Sequence, residues 1–193
     1  MKRFVPLALA LTVLLLVPAC GMQKKAAETA ISSVESAYNA IKEQAVNVAP
    51  DQAKTIEDAI AAAKEAAAKG DFKAALETTK DLPAKVKELS DGLAARQEEL
   101  QKTWAGLNAA LPGAVASLSQ KLGAMKKPLA GMDKAALDAA KTGLAEMKTK
   151  WGEATTAMQG GKWAEAVAKA GEVKTSAIAL MTELKMSVPD GLK

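Results

Sequence analysis

Residues Ile56–Leu76 read IEDAIAAAKEAAAKGDFKAAL, and residues Met147–Val167, 91 positions later, read MKTKWGEATTAMQGGKWAEAV. In both stretches apolar residues recur every three or four positions, a glycine follows, and an aromatic residue opens a second apolar series. This spacing places the apolar side chains on one face of an α-helix, and glycine commonly ends such a helix. The two stretches therefore predict two related helical hairpins.

The same periodicity continues on both sides and predicts an all-α fold, an Ala-rich antiparallel bundle of about six helices in residues 26–186. The predicted helices cover residues 22–48, 52–69, 72–89, 93–127, 133–158 and 163–186. Pro83 is expected to bend the third helix near Asp81, because proline removes a backbone hydrogen bond. Whether 93–127 is one kinked helix or two is left open at Pro112.

The repeated pattern predicts an internal duplication, with copies at about 26–92 and 93–186. After the last periodic residues, the segment 187–193 is expected to form a frayed tail. The bundle itself is expected to be thinly packed, because 40 of the 174 residues from position 20 onward are alanine.

Composition excludes several kinds of chemistry. The chain has 193 residues with one cysteine and no histidine. It therefore lacks the residues for Ser-His-Asp or Cys-His catalysis, for an imidazole metal site, and for an intrachain disulfide. We expect a protein that is not an enzyme and that carries no cofactor and no metal ion.

The N-terminus has the pattern of a secretory signal peptide. Two basic residues, Lys2 and Arg3, precede the apolar run Phe4–Val17, which is shorter than the roughly 20 residues of a membrane-spanning helix. The run ends at Leu16-Val17-Pro18-Ala19-Cys20, which resembles the lipobox of bacterial lipoproteins. The only cysteine of the chain falls where that motif places its modified residue.

This resemblance implies that residues 1–19 are a cleaved signal peptide and that Cys20 is the lipidation site. Cys20 would carry a thioether-linked diacylglycerol and an N-acyl chain, and residues 20–25 would form the lipidated anchor and a short tether. Two or three acyl chains hold a protein to a membrane permanently. Because residue 21 is glycine, the resemblance implies the outer membrane, facing the periplasm, in a Gram-negative cell, and the outer face of the single membrane in a Gram-positive cell.

A second resemblance concerns the helical part. The strings Gly70–Leu76 and Gly161–Val167 resemble the start of the second helix in tetratricopeptide repeats. The arrangement as a whole resembles the helical-hairpin domains of uncharacterised bacterial lipoproteins.

Charge suggests one contact surface. Without residues 1–19 the chain has 24 basic and 22 acidic residues, which does not favour nucleic-acid binding. Residues 20–100 hold 11 basic and 14 acidic residues, and residues 101–193 hold 13 and 8. Part of the basic excess is Lys121, Lys126, Lys127 and Lys134, a possible contact for an acidic protein, an anionic glycan or lipid headgroups. Alternatively, the two halves attract each other within the bundle, or the lysines are only a solvated surface.

These features predict a non-catalytic, membrane-anchored envelope lipoprotein that acts as a structural or protein-interaction module. Its expected partners are membrane lipid, bound through acylated Cys20, and another envelope protein, with no nucleic acid and no metal. An alternative is a helical carrier that binds a small apolar or anionic ligand in the periplasm. A less favoured alternative is an enzyme whose carboxylates meet only in three dimensions.

Overall fold

The structure, a computed structural model, describes the backbone of residues 17–193 and the side chains of residues 21–193. Within these residues the fold is all-α, with seven α-helices, one 3₁₀ helix and no β-strand. The α-helices are α1 (Val17–Asn39), α2 (Lys42–Val48), α3 (Pro50–Ala68), α4 (Phe72–Thr79), α5 (Leu82–Ala124), α6 (Lys134–Gln159) and α7 (Trp163–Glu183). The predicted fold class, an Ala-rich helical bundle containing two related hairpins, is confirmed.

The first predicted helix, 22–48, is wrong in one respect, because the chain forms two helices there. α1 ends at Asn39 and α2 begins at Lys42. In the break, the Ile41 amide donates to the carbonyl of Tyr38, three residues back, instead of the fourth residue that an α-helix uses. Buried residues lie on both sides of the break, so the apolar period alone does not reveal it.

The predicted single helix 72–89 is also two helices. α4 ends at Thr79 and α5 begins at Leu82. Pro83 therefore lies in the first turn of a new helix and does not bend an existing one. In a first turn the backbone N–H has no partner within the helix, so proline is tolerated there.

The question left open at Pro112 is answered by α5, which continues through this proline over 43 residues. Pro112 is exposed, and so is Asn108, whose carbonyl loses its usual partner. Water can solvate that carbonyl, while Leu111 and Leu118 remain completely buried on the opposite face. Burial on one side of the helix thus outweighs one missing hydrogen bond on the other.

The C-terminal segment 187–193 is ordered, contrary to the prediction of a frayed tail. Asp190–Leu192 form the 3₁₀ helix, and the Leu192 side chain is fully buried in the core formed by α5, α6 and α7. Val188 and Leu192 are the only strongly apolar residues of this segment, and two residues do not establish a helical period that would predict the contact.

The chain divides into two compact units. Unit 1 comprises the residues up to Lys42 together with Gln52–Ser90, and unit 2 comprises Glu43–Asp51 together with Asp91–Lys193. A small core in unit 1 joins Ala27 and Ile31 of α1 to buried alanines of α3 and α4. The larger core of unit 2 is formed by leucine, valine, methionine and alanine side chains of α5, α6 and α7. The units do not coincide with the predicted copies 26–92 and 93–186, because Glu43–Asp51 belong to unit 2.

The repeated glycine turn has the same geometry in both units. Gly70 and Gly161 adopt positive φ angles of 81° and 74°. The amides of Asp71 and Lys162 donate to the carbonyls of Ala66 and Ala157, each five residues back and each at 2.9 Å. This is the Schellman arrangement, in which a left-handed residue ends a helix and satisfies its last carbonyls. The two turns, 91 residues apart, therefore share the same positive φ and the same backbone hydrogen bond.

The offset also relates buried positions away from the turn. Ala63 and Ala154 are both completely buried, and so are Ala75 and Ala166. Further buried pairs at this offset are Ile56 and Met147, Leu89 and Leu180, Ala27 and Leu118, and Ile31 and Leu122. The last two pairs relate α1 to the C-terminal half of α5, so each repeat contains three helical segments and is larger than the predicted hairpin.

The fully buried alanines give a first prediction. Ala166→Leu should lower the free energy of unfolding by about 1–3 kcal/mol, because a larger side chain in a packed core forces its neighbours apart. Ala168→Leu, on the exposed face of the same helix, is the matched control and should change it by less than about 0.5 kcal/mol. Urea denaturation followed by circular dichroism measures both, and equal effects would contradict close packing at Ala166.

Candidate functional site

The predicted lipidation residue, Cys20, lies near the start of α1. Its side chain and residues 1–16 are outside the described part of the structure, so the signal peptide and the lipidation stay predictions. The residues that follow Cys20 are described. All side chains from Gly21 to Ala26 are exposed, and the first buried residue is Ala27.

This arrangement changes the expected tether. Residues 20–25, predicted to form the lipidated anchor and a short tether, belong to α1. A helix rises 1.5 Å per residue, so Cys20 and Ala27 are separated by about 10 Å along the axis. Met22, with 77% of its surface exposed, is the most exposed large apolar residue of the described chain. Lys24 and Lys25 are exposed on the same turns.

The second predicted site is the group of four lysines at the junction of α5 and α6. Lys121 is half-buried in the last turn of α5, whereas Lys126, Lys127 and Lys134 are exposed. Lys126 and Lys127 lie in the connection 125–133, and Lys134 is the first residue of α6. Within the described chain none of the four forms an ion pair, so their charges are available to an external partner.

The connection itself is held by apolar contacts and caps. Met125, Leu129 and Met132 are partly buried against the core of unit 2. Gly131 has a φ of 89°, which favours glycine, and the Asp133 carboxylate accepts the Ala136 amide at 2.7 Å to cap α6. The lysines are therefore carried by an anchored connection.

Two further lysines extend this group along α6, and the sequence analysis missed them. Lys141 and Lys148 are exposed and follow Lys134 at intervals of seven residues. That interval was the available signal, because it returns a side chain to nearly the same helix face. The Lys148 ammonium donates to the Ser119 hydroxyl at 3.0 Å, which places this face of α6 next to α5.

The other side of α6 carries compensated charges. Lys150 contacts Glu172 at 2.5 Å, and Glu153 contacts Lys169 at 2.7 Å, so both pairs link α6 to α7. The hydrogen bond to Glu172 raises the pKa of Lys150, and the same bond lowers the pKa of Glu172. One helix therefore presents paired charges towards α7 and unpaired lysines towards α5.

The predicted charge difference between the two halves does not follow the structural units. From residue 21 onward, unit 1 contains 10 basic and 9 acidic residues, and unit 2 contains 14 and 13. The acidic residues Asp91, Glu98 and Glu99 belong to unit 2, although they lie before residue 101. The basic excess is consequently local to residues 121–148. The two structural units do not carry opposite net charges.

A polar cluster in unit 1 is the strongest candidate for acid-base chemistry. The Tyr38 hydroxyl donates to Glu57 Oε1 at 3.1 Å, and Lys42 Nζ contacts the same oxygen at 2.9 Å. Burial, reinforced by the hydrogen bond and the charge of Glu57, raises the pKa of Tyr38 to about 12. The hydrogen bond from Lys42 lowers the pKa of Glu57 despite its partial burial. The ionised Glu57 carboxylate accepts from the neutral Tyr38 phenol and from the Lys42 ammonium, so the cluster links α1, α2 and α3.

Glu57 and the adjacent Asp58 do not act together. Asp58 contacts Lys54, one turn earlier on the same helix, at 3.0 Å. Within the described residues, no group of histidine, cysteine or acidic side chains is arranged to hold a metal ion.

Within the described residues, a shallow groove in unit 1 is a candidate site for a ligand. It has a volume of about 160 Å³ between α3 and the first turns of α5, with Ile56 and Leu89 at its base and Gln52, Lys85 and Glu88 at its rim. Typical small-molecule sites occupy ~300–1,000 Å³, so the groove would hold only a small fragment.

Comparison with protein-family models, curated proteins and solved structures finds no match for this chain. None of the described helices is long and apolar enough to cross a membrane.

The polar cluster gives a second prediction. Tyr38 is the only tyrosine, so phenolate absorbance reports it alone. In the folded chain its ionisation should be centred near 12, against 10.0 in denaturant. Since only the unfolded phenol ionises between these values, the free energy of unfolding should fall as the pH rises through that range.

Two variants test the cause of this shift. Glu57→Gln should lower the midpoint, which should stay above 10.0 because burial is the largest cause. Asp58→Asn, which removes the neighbouring acid that does not contact Tyr38, should leave it unchanged. A folded chain whose tyrosine titrates as in denaturant would show that Tyr38 is not buried.

Proposed function

We propose that this chain is a non-catalytic envelope lipoprotein, anchored through acylated Cys20, whose helical body acts as a structural or protein-interaction module. The observation that carries the proposal is the position of the only cysteine, directly after an apolar run that resembles a lipobox. In a Gram-negative cell the protein would lie on the outer membrane and face the periplasm.

The surroundings of Cys20 support an anchor at this position. The turns of α1 from Gly21 to Ala26 are exposed on every side, so acyl chains attached just before them would not disturb a core. Met22 adds an exposed apolar side chain, and Lys24 and Lys25 add positive charges that anionic headgroups attract.

The body is better suited to contacts on its surface than to enclosing a ligand. Its cores contain fully buried alanines, and such small side chains allow helices to approach closely and leave little interior space. The carrier alternative relies on the groove at Ile56 and Leu89, whose volume of about 160 Å³ gives it less support.

Removing the thiol tests the anchor. Cys20→Ser should abolish labelling by a fatty-acid analogue and leave the chain as precursor or as soluble protein. Helical content should be unchanged, because the described residues next to Cys20, Gly21 to Ala26, are all exposed. The matched control adds Ser33→Cys to this variant, which restores one cysteine at an exposed position of α1 and should not restore labelling. Labelling that persists in Cys20→Ser would refute the proposal.

The residue after Cys20 tests the membrane. In a Gram-negative host, Gly21→Asp should move the protein to the inner membrane without loss of acylation, because the lipobox resemblance makes aspartate there a retention signal. A Cβ at Gly21 would meet no atom within 4 Å, so the fold should tolerate the change. Gly21→Ser is the control and should stay in the outer membrane on density-gradient fractionation. An identical distribution of all three proteins would contradict the assigned membrane.

A further inference from the structure

We propose that the face of α6 that carries Lys134, Lys141 and Lys148 docks on an anionic phospholipid surface. The proposal draws on the membrane location proposed above, but it does not require acylation of Cys20.

The three lysines form a straight row. Seven residues correspond to almost two helical turns, so Lys134, Lys141 and Lys148 lie within an arc of about 40° and span about 21 Å along the axis. All three are exposed, and the bond from Lys148 to Ser119 shows that the row borders α5. A flat surface can therefore contact all three ammonium groups at once.

The row is not neutralised by its surroundings. None of the three lysines forms an ion pair within the described chain, whereas Lys150 and Lys169 of the α6–α7 pair both do. The neighbouring stretch of α5, residues 103–124, contains no acidic residue. Asp138 lies on the same face between Lys134 and Lys141 and is exposed, so it cancels one of the positive charges and leaves an excess.

The residue types favour lipid over a protein partner. Protein interfaces depend on tryptophan, tyrosine and arginine anchors, and lysine is depleted in them. The row contains none of these anchors, and the exposed large apolar residues of the described chain, Met22 and Val46, are not on α6. Lysine is a flexible point charge, and each lysine close to an anionic bilayer strengthens binding about fivefold.

Lysine footprinting tests the proposal on the full chain as isolated from membranes. The protein is reconstituted into phosphatidylcholine vesicles with or without phosphatidylglycerol, treated with an amine-acetylating reagent and analysed by peptide mass spectrometry. We expect Lys134, Lys141 and Lys148 to react several-fold more slowly in the anionic vesicles. The paired lysines Lys102 and Lys150 should react equally in both. Because exposed charges are screened over ~3 Å at 1 M salt, the protection should disappear there.

A pair of variants tests whether the row acts as a unit. Lys141→Glu combined with Lys148→Glu should remove the protection of Lys134, while Lys102→Glu on α5 should leave it intact. These side chains are exposed, and retained helical content would show that the fold is preserved.

Three results would overturn the proposal. The first is equal reactivity of the row in both kinds of vesicle, and the second is equal protection of paired and unpaired lysines. The third is protection that occurs only in native envelopes, which would indicate that the row binds an acidic protein. The same spectra give the mass of the peptide that contains Cys20, so a missing acyl group would count against the anchor and not against the lysine row.

Discussion

Close contact between helices through alanine is the constraint on which this structure depends. Ala63, Ala75, Ala154 and Ala166 have no exposed surface, and each lies near one of the two glycine turns. A methyl side chain buries little apolar area, at roughly 25 cal/mol per Å², so the alanines stabilise the fold mainly by letting other groups pack. Larger side chains, mostly leucine, fill the rest of the cores, and the Trp104 and Trp151 rings stack at the edge of the unit 2 core with centroids 5.5 Å apart.

Such packing leaves little space inside the described helices, so the charged groups lie on their surface. The charged residues of α6 differ between its two sides. On the side towards α7, Lys150 and Glu153 each form an ion pair, so the charges on this side are compensated within the chain. On the side towards α5, no acidic residue of the facing stretch compensates the lysines. The free energy of exposed ion pairs is small, and their main effect here is to determine which lysines remain available.

Much of the fold follows from the sequence because apolar periodicity and glycine turns are local signals. The ends of α3 and α6 were predicted within two residues, since Gly70 and Gly161 can adopt positive φ where other residues resist it. The break between α1 and α2 was missed, because buried residues keep helical spacing across it. The burial of Leu192 and the Lys148–Ser119 contact join residues far apart in sequence, and no local pattern encodes them.

The division of the chain into units explains why the two sequence halves differ in charge while the two structural units do not. Dividing the sequence after residue 100 assigns Asp91, Glu98 and Glu99 of α5 to the first half, whereas in the structure they belong to unit 2. The apparent opposition of charges was therefore a product of the division, and only the excess in residues 121–148 is a property of the folded molecule.

The secondary structure of residues 20–25 determines how an anchor at Cys20 would act on unit 1. An extended tether of residues 20–25 would leave the body free to turn on its anchor. As part of α1, these residues hold Ala27 about 10 Å from Cys20 along one axis, so an anchor at Cys20 would restrict the directions in which unit 1 can face.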